Sequence, residues 1–171
     1  MKIKYLLLCF FIIAGTITFF SCKKDNNSET SNLQVRLTDA PAAFDQVNVD
    51  IKEVRVNFRD DSTGWVSLNT NAKVYNLLGL QNGVDTLLAS GNVQTGILKE
   101  IRLILGSNNN VVVNGTTFPL TIPSGSESGL KIKVSKKLAA TLETLIIDFD
   151  AALSIKQEGG GYKLRPVLKI K

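Results

Sequence analysis

The chain has no histidine, two cysteines, one methionine and one tryptophan among its 171 residues. Without imidazole it lacks the commonest general base, and with it go most zinc sites and nucleophile triads. The two thiols, Cys9 and Cys22, do not build a disulfide framework, because Cys9 lies in an apolar leader expected to leave the mature protein. Beyond residue 21 there are one Trp and two Tyr, too few for a deep cleft lined by sugar-stacking rings. Charge of one sign is also scarce. Lys and Arg number 20 against 15 Asp and Glu, and removing Lys2 and Lys4 lowers the net charge from +5 to +3. That excess is too mild to point to nucleic acid. No long apolar run is present either, since the longest, Tyr5 to Phe20, has 16 residues against the roughly 20 a membrane-spanning helix needs.

What is present begins at the N-terminus. Lys2 and Lys4 followed by the apolar run are the charged and apolar regions of a secretory signal. Phe19-Phe20-Ser21-Cys22, with a small residue directly before the cysteine, resembles the bacterial lipobox, and "SCKKD" resembles the start of many mature Bacteroidota lipoproteins. Residues 1–21 are therefore expected to be a lipoprotein signal peptide and Cys22 the acylated first residue of the mature chain. A buried or disulfide-bonded Cys22 is the weaker reading, because Cys9 departs with the signal. Each buried acyl CH₂ is worth about 0.8 kcal/mol and stable anchoring takes more than one chain, which a di- or triacylated cysteine supplies. Residues 22–32 read as a solvated tether and 33–171 as a single domain. The expected location is the outer membrane, on its cell-surface or periplasmic face.

Period-two alternation dominates the rest. Leu33, Val35 and Leu37 alternate with polar residues, as do Val47, Val49 and Ile51, before the phase shifts to Val54, Val56 and Phe58. A phase change at Lys52-Glu53 requires a β-bulge or a break. Asp60 to Gly64 reads as a turn, and Asn114-Gly115 between Val111–Val113 and Thr116–Phe118 reads as a type I′ hairpin. Leu145, Ile147, Phe149 and Ala151 continue the alternation, and Tyr162 to Ile170 forms the last strand. The helical candidates are Leu77 to Ala89 and Lys136 to Glu143, neither with a full apolar stripe. Many short strands with turn signals between them predict an all-β antiparallel sandwich, immunoglobulin-like or transthyretin-like, with little helix. From Leu130 onward nine Lys or Arg face four Asp or Glu. Lys131/Lys133 and Lys163/Arg165 at strand spacing read as a solvated face that discourages edge pairing rather than a polyanion site.

Several phrases in order, "LTDAPAAFDQVNVDIKEVRV" (Leu37 to Val56), the lone Trp65, "IRLILG" (Ile101 to Gly106), "IPSGSESGLKI" (Ile122 to Ile132), "IDFDAALSI" (Ile147 to Ile155) and "YKLRPVLKI" (Tyr162 to Ile170), together resemble the domain of unknown function 4382 family. The resemblance covers about Asn32 to Lys171. It implies secreted or lipid-anchored bacterial proteins, mostly of one domain, with no established activity.

Three chemistries are open to these residues. Asp148 and Asp150, two apart on a strand, put their Cβ atoms about 7 Å apart, a spacing a glycosidase pair tolerates, but the missing rings argue for a non-enzyme. Asp39, Asp45, Asp148 and Asp150 would converge on Ca²⁺ if the first loop and the end of the Leu145 strand shared one pole. Against that, Asp39 and Asp45 read as turn-forming residues. Ser124, Gly125, Ser126, Ser128 and Gly129 lie in a Gly/Ser loop, either a binding loop or an ordinary connector. Trp65 reads as a core residue before a sugar platform. The sequence thus points to a non-catalytic recognition or assembly module with no cofactor, held to the membrane by its N-terminal lipid, with a protein or glycan partner. The alternatives are a periplasm-facing structural lipoprotein and a calcium-stabilised glycan-binding module.

Overall fold

Apolar residues at every second position give each strand one face to bury, and two such sheets bury it against each other. The computed structural model describes residues 29–61, 63–123 and 129–171; the expected signal peptide over 1–21, Cys22 and residues 124–128 lie outside the described residues. In chain order the strands are β1 (Thr30–Thr38), β2 (Gln46–Asn57), β3 (Trp65–Ser67), β4 (Asn69–Thr70), β5 (Lys73–Asn76), β6 (Thr86–Gln94) and β7 (Gly96–Leu105). There follow β8 (Asn110–Val113), β9 (Thr116–Thr121), β10 (Leu130–Leu138), β11 (Leu142–Phe149), β12 (Ile155–Glu158), β13 (Gly161–Leu164) and β14 (Leu168–Ile170). One sheet is ordered β14-β11-β1-β6-β4. The other is ordered β10-β7-β2-β8-β9-β13-β12, with β3 and β5 also on β2.

The core lies between the sheets. Leu33, Val35 and Leu37 of β1, Leu145, Ile147 and Phe149 of β11, Val54 and Val56 of β2 and Ile101 and Leu103 of β7 are buried there. Fully burying one such side chain contributes about 1.5–3 kcal/mol. The phase change in β2 is a bulge: the pairing with β7 slips between Ile51 and Glu53, which returns Val54 and Val56 to the core side. The Asn114-Gly115 turn has φ of 50° and 73°, the two left-handed residues a type I′ hairpin requires.

The all-β sandwich stands as expected, and five details differ. The sheets are mixed, because β1 pairs β11 and β13 pairs β9 in parallel. Neither helical candidate is a helix. Leu77–Leu80 is a single 3-10 turn before β6, and Lys136 to Glu143 is the end of β10, a turn and the start of β11. The only α-helical turn among the described residues, α1 (Ala151–Ser154), begins at Ala151, the residue to which the strand alternation was expected to run. Finally, β1 begins at Thr30, so the strand takes in the last residues assigned to the tether, and Pro166 splits the last strand into β13 and β14. No helix among the described residues is long and apolar enough to cross a membrane.

Candidate functional site

The parallel pairing of β1 with β11 sets Thr38 opposite Asp148, which carries Asp39, Asp148 and Asp150 to one pole of the sandwich. Asp39 is 3% exposed. Its Oδ1 accepts the Ala151 N–H at 2.9 Å and its Oδ2 accepts from Gln81 Nε2 at 3.2 Å. Burial pushes this carboxyl above its ordinary value, opposed by the hydrogen bonds from Ala151, Gln81 and Ala40 and reinforced by the charge of Asp148. Asp148 is also buried; its Oδ2 lies 3.2 Å from Lys169 Nζ and 3.3 Å from Lys171 Nζ. Those lysines fasten β14, since Asp148 stands opposite Lys169 in the ladder.

Asp150 does not share a strand face with Asp148. It lies past the end of β11 and caps α1, accepting the Leu153 N–H at 2.9 Å. Asp45 is elsewhere, exposed beside the β8–β9 hairpin, where its Oδ2 accepts the Gly115 N–H at 2.8 Å. The four expected carboxylates therefore do not converge. No group of three or more His, Cys, Asp or Glu among the described residues is placed to hold a metal ion. Asp39 is more than a local turn residue, because its bond to Ala151 joins positions 112 apart in sequence.

A fifth carboxylate escaped the sequence reading. Asp50, in the middle of β2, is fully buried; Lys52 Nζ lies 2.9 Å from its Oδ1 and the Asn108 N–H points to its Oδ2 at 3.3 Å. It organises the β7–β8 loop, where a Cβ on Gly106 would come within 2.1 Å of Asp50 Oδ2. Alternation gave no signal for it, because period two sets Asp50 on the face opposite Val49 and Ile51, and here both faces of β2 are covered.

Trp65 is not a core residue. Paired residues share a sheet face, and Trp65 stands opposite Asn57 while Val66 stands opposite the inward-facing Val56. The indole is accordingly half-buried, with the Arg102 guanidinium 4.0 Å from its ring centre. Of the Gly/Ser loop, Ser124, Gly125, Ser126 and Ser128 lie outside the described residues. Gly129 has φ of +74°, and a Cβ there would meet Ile104 and Arg102 at 2.6 and 2.8 Å, so glycine is required by packing and conformation together.

The groove best suited to a ligand is built from residues that the sequence offers only as strand, turn or solvated-face positions, Lys163 among them. The parallel pairing of β13 with β9 brings Phe118 and Tyr162 together, ring centres 5.1 Å apart and planes tilted by 52°. They line a surface groove of about 540 Å³ with Pro119, Thr121, Glu158, Lys163 and the Gly159–Gly161 turn. Lys163 and Arg165 each reach Glu158 Oε2 at 3.0 Å, and the hydrogen bond from Lys163 holds its carboxyl below the ordinary range. Two half-buried rings beside a charged pair offer stacking and hydrogen bonding together. The consecutive glycines before Tyr162 were the available signal, since Gly159 and Gly160 have φ of +64° and +79° and leave the ring a side-chain-free border.

Two packed sheets with almost no helix define the class, an all-β sandwich module. Within that class the chain belongs to the family described as Domain of unknown function (DUF4382), whose profile matches residues 30–166. The match begins at the first residue of β1. No curated protein and no solved structure matches the chain.

Proposed function

We propose that this chain is a lipid-anchored protein of the bacterial cell envelope, held at the outer membrane through Cys22, whose sandwich domain recognises or assembles with a partner and does no catalysis. The observation that carries the non-catalytic reading is how the acidic residues are used. Asp39, Asp45 and Asp150 each accept a backbone N–H, and Asp148 faces two lysines that fasten the last strand. Carboxylates spent on fold contacts are poorly free to transfer protons or bind a nucleophilic water. The anchoring rests on the "FFSCKKD" sequence.

The Phe118–Tyr162 groove favours a glycan as the partner, because tilted rings next to Glu158 and Lys163 suit a sugar's apolar face and its hydroxyls together. The acidic pole lends calcium stabilisation no comparable support. The purified protein should show no turnover of glycoside, ester or peptide substrates, and should bind immobilised envelope glycans in a manner lost in Tyr162→Ala. Hydrolysis that disappears in Asp148→Asn with folding intact would overturn the non-catalytic reading. Glycan binding that survives Tyr162→Ala would move the partner away from this groove.

A further inference from the structure

The two most exposed large hydrophobic residues among those described are Leu142, at 63%, and Ile97, at 53%. Both sit at the same pole, the one where the chain enters the sandwich. Asn32 stands opposite Leu142 in the β1–β11 ladder. The Glu29 carbonyl accepts the N–H of Thr95 at 3.0 Å, in the turn just before Ile97. On the other side Thr141 O accepts the Asn32 N–H at 3.1 Å and the Ser31 hydroxyl at 3.2 Å. The entry point is thus clasped by two turns, each bearing one protruding apolar side chain, with exposed Ala139 and Ala140 beside the second.

Charged side chains of both signs, with lysines in excess, flank these turns. Lys137 is exposed, stands opposite Ile97 and makes no ion pair among the described residues. Next to Ile97 a shallow depression of about 440 Å³ is bordered by Arg59, Lys99 and Lys133 against Asp60 and Glu100. Isolated apolar tips with lysines close by, Lys137 unpaired among the described residues and Lys136 and Lys99 paired with Glu143 and Asp60, suit a lipid interface, where the apolar atoms enter the acyl boundary and the ammonium groups remain at phosphate level.

We infer that this pole is itself a bilayer-contact surface, with Ile97 and Leu142 entering the interface on either side of the entry point. The inference rests on the proposed acylation of Cys22. Seven residues, 23 to 29, separate Cys22 from β1, a reach of at most about 25 Å at 3.3–3.6 Å per residue. Confinement within that distance gives even a weak patch a high effective concentration of lipid. Docked this way, the sandwich stands with β1 running away from the membrane. The Asp39 pole then lies farther out by the length of the strand, about 25 Å at 3.3 Å per residue.

The test uses the full lipoprotein, isolated from membranes and reconstituted into phosphatidylcholine/phosphatidylglycerol vesicles whose acyl chains carry bromine. An acylated Cys22 leaves no other thiol in the mature chain, so Ile97→Cys, Leu142→Cys and Val84→Cys each accept one fluorophore. Val84 is 52% exposed at the far pole, where its carbonyl accepts from Thr38 Oγ1. Quenching by the brominated chains should be at least threefold stronger at positions 97 and 142 than at 84. Equal quenching at all three positions, in protein that still floats with the vesicles, would overturn the docked pole and leave the anchor standing. Failure of the anchor has a different signature: the parent protein takes the label at Cys22 and stays out of the floated fraction, which overturns the anchoring and the docking together.

Discussion

Asp39→Ala removes the acceptor of the Ala151 N–H, a 2.9 Å hydrogen bond that ties the end of β1 to α1. Asp39 is 3% exposed and Ala151 0%, so the deletion leaves a buried donor without a partner, at a cost of about 1–3 kcal/mol. For a domain of this size each kcal/mol moves Tm by about 2–4 °C, which gives a fall of about 6 °C at pH 7. Asp39→Asn should behave differently. Its amide oxygen still accepts from Ala151, the Gln81 amide can turn its oxygen toward the new NH₂, and a charge disfavoured by burial and by Asp148 is gone. At pH 7 the Asn variant should therefore melt at or above the parent.

The pH dependence follows from the raised carboxyl. Because the folded state holds the Asp39 proton more tightly than the unfolded chain, this group's contribution is fully present below the unfolded value. It is lost as pH rises through the folded one. The advantage of Asp39→Asn should thus be largest at neutral pH and shrink on acidification. Thermal melts followed by circular dichroism from pH 4 to 8 measure all three proteins. An Asp39→Ala variant that melts within about 1 °C of the parent, or an Asn variant that falls as far as Ala, would refute the buried-tie reasoning.

Further outcomes follow from the same contacts. Gly106→Ala places a Cβ within 2.1 Å of Asp50 Oδ2 and 2.4 Å of Lys52 Cε; it should cost about 1–3 kcal/mol in denaturant melts, whereas Gly79→Ala, with nothing within 4 Å, should stay close to the parent. Lys169→Met with Lys171→Met strips both partners from the buried Asp148. It should destabilise by more than the sum of the single changes, since either lysine alone still pairs the carboxylate, as melts of both singles and the double will show. Melting in millimolar calcium and in excess EDTA should agree within about 2 °C, because the four aspartates have separate partners. A bound cation at a hundredfold excess over Kd would instead add about 2.7 kcal/mol, and a shift of that order would restore the metal reading.

The sequence made legible what local chemistry decides. Alternation around Leu33, Val35 and Leu37 revealed the strands, the lost phase at Lys52 revealed the bulge, and Asn114-Gly115 revealed its hairpin. Strand direction was not legible, because an inward Leu145 and Ile147 read the same whether the neighbour runs parallel or antiparallel. The 3-10 turn at Leu77 and the helical turn after Asp150 were hidden for another reason. Each is a single turn set by a capping side chain, Asn76 and Asp150, too short to show a period. At the sites, residue type suggested a role and pairing decided it. Register with Asn57 took Trp65 out of the core, and the meeting of Phe118 with Tyr162 depends on a parallel contact between positions 44 apart in the numbering.

The anchored reading depends most on the chemistry of Cys22, and intact mass spectrometry of the protein extracted from membranes addresses it directly. The expected mass is that of a chain beginning at Cys22 and carrying two or three acyl chains, with the modification confined to the N-terminal peptide "CKKDNNSETSNLQVR" or a fragment of it. A peptide that runs unbroken through Ser21-Cys22, or a mature chain whose Cys22 is a free thiol, would contradict it.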